Sequence, residues 1–156
     1  PVTSAQEMYN ATTAAFKRAD IAVLSAAVAD FRPEIVADQK IKKDPNKDEM
    51  TLRLVKTKDI LKTLGENKKG NQILVGFALE TENGIENAKK KLHTKNLDMI
   101  VLNTMNEAGV GFKTKTNKVN IITKDDEVRD YELKPKSEVA QDVLDAVYQL
   151  LAKQSL

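Results

Sequence analysis

The sequence has no cysteine, no tryptophan, one histidine and only 6 glycines, the first of them Gly65. Each shortage removes a class of chemistry. Without cysteine there is no disulfide, no thiolate zinc site and no cysteine nucleophile, which suits a reducing compartment. His93 alone builds neither a multi-histidine metal site nor a Ser-His-Asp triad unless another chain supplies the partners. Aromatics amount to 4% of the residues, too few for a nucleic-acid platform that works by base stacking. With no glycine before Gly65, neither the GxGxxG fingerprint nor a P-loop can follow the early strand pattern. Lys+Arg of 25 against Asp+Glu of 23 leaves a net charge of only +2, which argues against bulk electrostatic binding to nucleic acid or membrane. No apolar run reaches the ~18 residues of a membrane helix and no signal peptide opens the chain, so a cytoplasmic location is expected.

What is present is the material of one globular domain spanning 1–156, with 41% hydrophobic residues to build a core. The chain begins Pro1-Val2-Thr3 without Met and reads as the N-terminally truncated remainder of something longer. Ser4 and Glu7 have capping-box spacing, predicting a helix over residues 4–18. Residues 21–26, 72–79 and 97–103 are apolar runs without alternation, expected of strands covered on both faces in a parallel sheet. Between the first two lie a loop-like segment (27–46), a short strand (50–56) and a short helix capped by Thr57 or Asp59. A helix starts at Asn83-Gly84, with Ile85, Ala88 and Leu92 on one face. Gly109 and Gly111 follow the third strand. Residues 118–123 and 128–133 predict a β-hairpin. Pro135 and Ser137 introduce an amphipathic helix with Val139, Val143, Val147 and Leu151 on its core stripe. The fold class is α/β: a Rossmann-like three-layer domain with a mostly parallel sheet, a C-terminal hairpin and a helix. Ligands of such folds bind at the carboxyl ends of the strands, after Ala26, Leu79 and Asn103.

Three lysine groups (Lys40 to Lys43, Lys89-Lys90-Lys91, and Lys95) and one acidic turn stand near those ends. Asp30, in Ala26–Pro33, can accept hydrogen bonds or hold a metal through water, or can simply cap a turn before Pro33. Lys40, Lys42 and Lys43 suit an anion that carries developing charge, and equally suit a solvated charge run. Lys91 and Lys95 share a helix face, where like charges repel unless an anion lies between them. Phe77 either packs in the core or flanks a ligand ring. Glu80 and Thr81 either bind ligand hydroxyls or cap a helix.

In this order the segments AAVADFRP (26–33), KIKK (40–43), LVKTKDIL (54–61) and VGFALET (75–81) resemble the phosphopantothenoylcysteine synthetase family. AKKKLHTKNLD (88–98), IVLN (100–103) and KPKSEVA (134–140) fit as well. The resemblance covers almost the whole chain from Thr3 onward. It implies a CTP- or ATP-dependent ligase of coenzyme A biosynthesis. In that reaction the carboxylate of 4'-phosphopantothenate attacks CTP to give an acyl-cytidylate, and the amine of cysteine then displaces CMP. By the resemblance, Leu24, Ser25, Ala26, Asp30 and Phe77 bind nucleotide, as do Lys58, Asp59, Ile60 and Leu61. Lys91 and Lys95 engage it as cations, and Lys40 is the catalytic loop lysine that serves conversion of the intermediate.

The resemblance also implies Mg²⁺ as cofactor, with no ligand set assigned, and no FMN on this stretch. It implies a homodimer, with hairpin 118–133 as a contributor to the contact, and fusion to or association with a flavin-dependent decarboxylase domain. The family's Gly-rich turn and its Asn-Ser-Ser-Gly-like segment do not occur in these residues. A non-catalytic Rossmann-like nucleotide-binding or oligomerisation module is therefore the alternative reading.

Overall fold

The computed structural model describes residues 1–43, 45–46, 48–104 and 114–154; Gly109 and Gly111 lie outside them. Helix α1 (Ala5–Phe16) begins at the predicted capping box. The Ser4 hydroxyl accepts from the Glu7 amide at 3.2 Å, and the Glu7 carboxylate accepts from the Ser4 amide at 3.2 Å. The chain continues through β1 (Ile21–Leu24), β2 (Phe31–Pro33), β3 (Leu54–Lys56) and α2 (Ile60–Glu66). Next come β4 (Ile73–Glu80), α3 (Gly84–Thr94) and β5 (Met99–Thr104). Four short strands, β6 (Thr116–Asn117), β7 (Val119–Thr123), β8 (Val128–Asp130) and β9 (Lys134–Pro135), lead into α4 (Lys136–Gln154).

The central sheet has the order β1-β4-β5-β7-β8. β1, β4 and β5 run parallel, whereas β7 and β8 join antiparallel, so the sheet is parallel in one half only. β2 and β3 form a separate antiparallel ribbon at the base of the arm that connects them, and β6 pairs with β9. Two apolar layers enclose the sheet. One joins Phe16 of α1, Ile60 and Leu64 of α2, and Ala88 and Leu92 of α3 to Leu74, Ile100 and Leu102. The other joins Val139, Val143, Ala146, Val147 and Leu150 of α4 to Ile73, Val75, Met99, Val101, Val119 and Ile121. Each fully buried side chain of this size contributes about 1.5–3 kcal/mol, so the two layers dominate the energetics.

The strand runs are covered on both faces in β4 and β5, as expected, but not in β1. Among the described residues β1 is an edge strand. Ala22 and Leu24 pack on the α1 side, while Ile21 and Val23 remain 36% and 44% exposed on the other because α4 does not extend over them. Other departures are local. Residues 31–33, read as loop, form β2 by pairing with a segment more than twenty residues away. The second arm of the hairpin ends at Asp130. Ile85 is exposed, although Ala88 and Leu92 behind it are fully buried.

At the amino end of the sheet, Asp98 is almost completely buried and accepts both from Lys68 Nζ and from the Leu74 amide, each at 2.8 Å. A buried carboxylate is tolerated only with such pairing, and here it ties β4 to the segment preceding β5. The carboxyl end opens into a cleft.

Candidate functional site at the carboxyl ends of the parallel strands

β1 stops at Leu24, which pairs with Gly76, so β4 projects beyond it and Phe77 stands past the end of its neighbour. The resulting cleft has a volume of about 420 Å³, within the range of small-molecule sites. Its floor is formed by Leu24, Ser25, Ala26 and Phe77, and one wall by Lys58, Asp59, Ile60 and Leu61 at the start of α2. Asp30 closes one side, and Lys91 and Lys95 of α3 stand on another. Of the residues that the resemblance assigns to the site, Lys40 alone does not line this cleft; it is exposed between β2 and β3, and the other candidates Lys42, Lys43, Glu80 and Thr81 do not line it either.

Short-range chemistry sets this arrangement. Thr57 fastens the loop after β1 to the start of α2: its hydroxyl donates to the Ala29 carbonyl at 2.6 Å and its amide to the Asp30 carbonyl at 2.9 Å. Asp59, rather than Thr57, is the N-cap of α2, accepting from the Lys62 amide at 2.9 Å. Lys58 lies 4.6 Å from the centre of the Tyr9 ring, which anchors its ammonium beside the cleft. Phe77 packs against the α4 layer and also lines the cleft.

Lys95 is placed by the end of α3. Asn96 has φ of 52°, and the Asn96 and Leu97 amides donate back to the His93 and Leu92 carbonyls at 3.1 and 2.9 Å. This is a Schellman closure, which fixes the backbone of the capping residue. The Asn96 side chain then donates to the Gly65 carbonyl at 2.8 Å. A Cβ on Gly65 would lie 1.8 Å from the Lys95 carbonyl oxygen, so only glycine permits the approach of α2 to α3.

Both cleft lysines of α3 are held by carboxylates. Lys95 Nζ lies 2.9 Å from Asp59 Oδ2, and Lys91 Nζ lies 2.5 Å from Glu80 Oε1. Partial burial works to raise the Asp59 pKa, but the Lys62 amide and the Lys95 ammonium outweigh it and hold the carboxyl below its ordinary value of 3.8. A depressed carboxylate stabilises the fold above its unfolded pKa, and the contribution disappears as pH falls through the lowered folded value. Thermal unfolding should therefore show a constant gap between wild type and Asp59→Asn above about pH 5, closing below about pH 4. A gap that stays unchanged down to about pH 2 would contradict this assignment.

Sequence reasoning takes Thr57, whose partners are long-range, only as a possible helix cap, and Asn103 only as the end of a strand. The latter ends β5 and lines the cleft, and its Oδ1 is buried without a hydrogen-bond partner among the described residues. Its position at a strand carboxyl end was the available signal. Asp30 is exposed and pairs with no lysine or arginine among the described residues. Among the described residues no group of three or more His, Cys, Asp or Glu residues forms a metal cage. That donor set fits Mg²⁺ carried on phosphates, which uses one or two carboxylates and keeps waters. Among the described residues no helix is long and apolar enough to cross a membrane.

Residues 1–151 match the family described as the DNA/pantothenate metabolism flavoprotein C-terminal domain. A cysteine/cysteine sulfinic acid decarboxylase from an unknown prokaryotic organism is 49% identical over 150 residues, 96% of this chain and 41% of that protein. The coenzyme A biosynthesis bifunctional protein CoaBC of Bacillus subtilis (strain 168) is 46% identical over 147 residues, 94% of this chain and 36% of that protein. The chain thus spans well under half the length of these two relatives. The crystal structure of the C-terminal domain of the coenzyme A biosynthesis bifunctional protein CoaBC superposes with a TM-score of 0.77 at 38% identity, covering 97% of this chain and 65% of that one. Agreement along nearly the entire chain, in sequence and in fold, means that the protein belongs to the DNA/pantothenate metabolism flavoprotein C-terminal domain family.

Proposed function

We propose that this chain carries the nucleotide-binding part of a ligase that joins 4'-phosphopantothenate to cysteine in coenzyme A biosynthesis, with CTP as co-substrate. The observation that carries the reading is the cleft itself. Two lysine ammoniums, an exposed aspartate and an aromatic ring line one cleft at the carboxyl ends of parallel strands, in a chain akin to CoaBC proteins.

In the first step the carboxylate oxygen of phosphopantothenate attacks the α-phosphorus of CTP. The bond to the β-phosphate breaks, and pyrophosphate leaves with its electron pair. In the second, the cysteine nitrogen attacks the acyl carbon, loses a proton and expels CMP. Neither step requires a histidine or cysteine nucleophile. Positioning and charge neutralisation suffice, and these are what Lys91 and Lys95 provide. Phe77 flanks the base, and the first turn of α2 offers amide donors. Asp30 would hold Mg²⁺ on the triphosphate, where the ion supplies further charge neutralisation. Lys40, on the arm, serves conversion of the intermediate once the arm closes over the cleft.

The arm also supports the proposed homodimer. Phe31, Ile35, Val36, Leu52 and Leu54 are all more than half exposed, a larger apolar surface than hairpin residues Val128 and Leu133 offer. The second reading is a nucleotide-binding module without ligase activity. The test is pyrophosphate release from CTP with phosphopantothenate, measured on the longest natural form of the protein. Release that depends on phosphopantothenate, followed by CMP on adding cysteine, is expected. CTP binding without release would establish the module instead.

A further inference from the structure

We propose that Glu80 is a positioning residue of the cleft, which fixes the Lys91 ammonium against the wall where a polyphosphate binds. The inference rests on the nucleotide reading and adds to it a residue that does not itself line the cleft. Glu80 is the last residue of β4, on the sheet rather than on α3, and the two partners are unequally exposed. The Glu80 side chain is 15% exposed and that of Lys91 45%. The carboxylate is thus the anchored member and the ammonium the presented one. Oε1 accepts from Lys91 at 2.5 Å, while Oε2 accepts from Asn87 Nδ2 at 3.3 Å. Asn87 also donates to the Glu82 carbonyl at 3.2 Å, so the carboxylate is braced from its second oxygen by the turn that starts α3.

Lysine carries a flexible four-carbon stem, and an unbraced ammonium loses much of its binding contribution in being ordered. Glu80 orders it beforehand and leaves part of the ammonium facing the cleft. The same logic recurs at Lys95, where Asp59 is braced through its own second oxygen by the Lys62 amide. Two lysines on one helix face, four residues apart, are thereby drawn to different supports, one to β4 and one to α2, with the cleft between them. The arrangement carries a built-in opposition: if Lys91 is removed, Glu80 is left behind the cleft wall as a negative charge without its cation.

That opposition makes the role testable by a double-mutant cycle. CTP affinity is measured by calorimetric titration of wild type, Glu80→Gln, Lys91→Met and the double variant, in the longest natural form of the protein. In the wild-type background Glu80→Gln is expected to weaken CTP binding by about fivefold to tenfold, because Lys91 is no longer fixed. In the Lys91→Met background the same change is expected to strengthen binding, because it removes a repelling charge. An effect of the same sign in both backgrounds, or none in either, overturns the proposal. Proton–nitrogen correlation spectra of the lysine ammonium groups, recorded without nucleotide, provide the ligand-independent arm. An ordered Lys91 signal should be present in the wild type and absent in both Glu80→Gln and Glu80→Ala. If wild type binds no CTP, the nucleotide reading falls, and these spectra alone decide whether Glu80 fixes Lys91. Unchanged Lys91 signals in the variants refute it.

Discussion

Gly65→Ala is expected to destabilise the protein by about 3 kcal/mol, lowering the unfolding midpoint by about 10 °C for a domain of this size. The reason is local and steric. The added methyl would sit 1.8 Å from the Lys95 carbonyl oxygen, roughly half a normal contact distance, and the obstructing atom is backbone. No rotamer change relieves it, so α2 must separate from the end of α3. Leu64, Ile60 and the Asn96 bond to the Gly65 carbonyl all lie on that seam. Helix propensity would favour alanine by up to about 1 kcal/mol, and the clash outweighs it. Gly70→Ala is the internal control, since nothing lies within 4 Å of its added methyl. Thermal unfolding of the pair should show a large loss for the first and almost none for the second. Equal midpoints would mean that α2 and α3 tolerate separation. Because Asp59 and Lys95 stand on either side of this seam, the Gly65 variant should also lose nucleotide affinity under conditions where it remains folded.

Replacing Lys91 and Lys95 together by methionine is expected to reduce CTP affinity by about a hundredfold or more, with little change in the unfolding midpoint. A hydrogen bond between charged partners contributes about 1.5–3 kcal/mol, so each ammonium lost from a phosphate contact weakens binding by about tenfold to a hundredfold. The loss is compounded because Glu80 and Asp59 are left without their cations and repel the incoming triphosphate. Stability should change by about 1 kcal/mol or less per ion pair, because the Lys91 and Asp59 side chains are 45% and 43% exposed and pairs this solvated contribute about 0–1 kcal/mol. Titration calorimetry at two salt concentrations measures both parts, and the wild-type affinity should be the more salt-sensitive. Unchanged CTP affinity in the double variant would remove these lysines from the site.

Much of this architecture could be read before the structure, for physical reasons that also explain what could not. The capping box at Ser4, the apolar runs of β4 and β5 and the core stripe of α4 are local patterns, and local patterns determine local structure. The rule that parallel sheets present their carboxyl ends to ligands points to the segments after Ala26, Leu79 and Asn103, whereas Leu24, Phe77, Lys91 and Lys95 are named through the family resemblance; the fold gathers them around one cleft. Pairing between distant segments is a different matter. β2 exists only because residues 31–33 meet 54–56, and Pro33 disguises it as loop. The carboxylate partners of Lys91 and Lys95 were invisible for the same reason, lying 11 and 36 positions away (91 − 80 and 95 − 59) on other elements. An apolar run is also silent about whether a strand lies inside a sheet or at its rim, which is why β1 was expected to be covered on both faces.

That rim governs how the isolated chain will behave in the hand. One side of β1 bonds to β4, and its other backbone edge offers donors and acceptors beside the uncovered side chains of Ile21 and Val23. Unprotected, apolar edges of this kind recruit extended peptide, including further copies of the same strand, and are a usual origin of aggregation during concentration or refolding. A lysine in place of Val23 would set a charge on the exposed face without touching the layer beneath α1, a change that improves handling while leaving the cleft at the strand ends as it is.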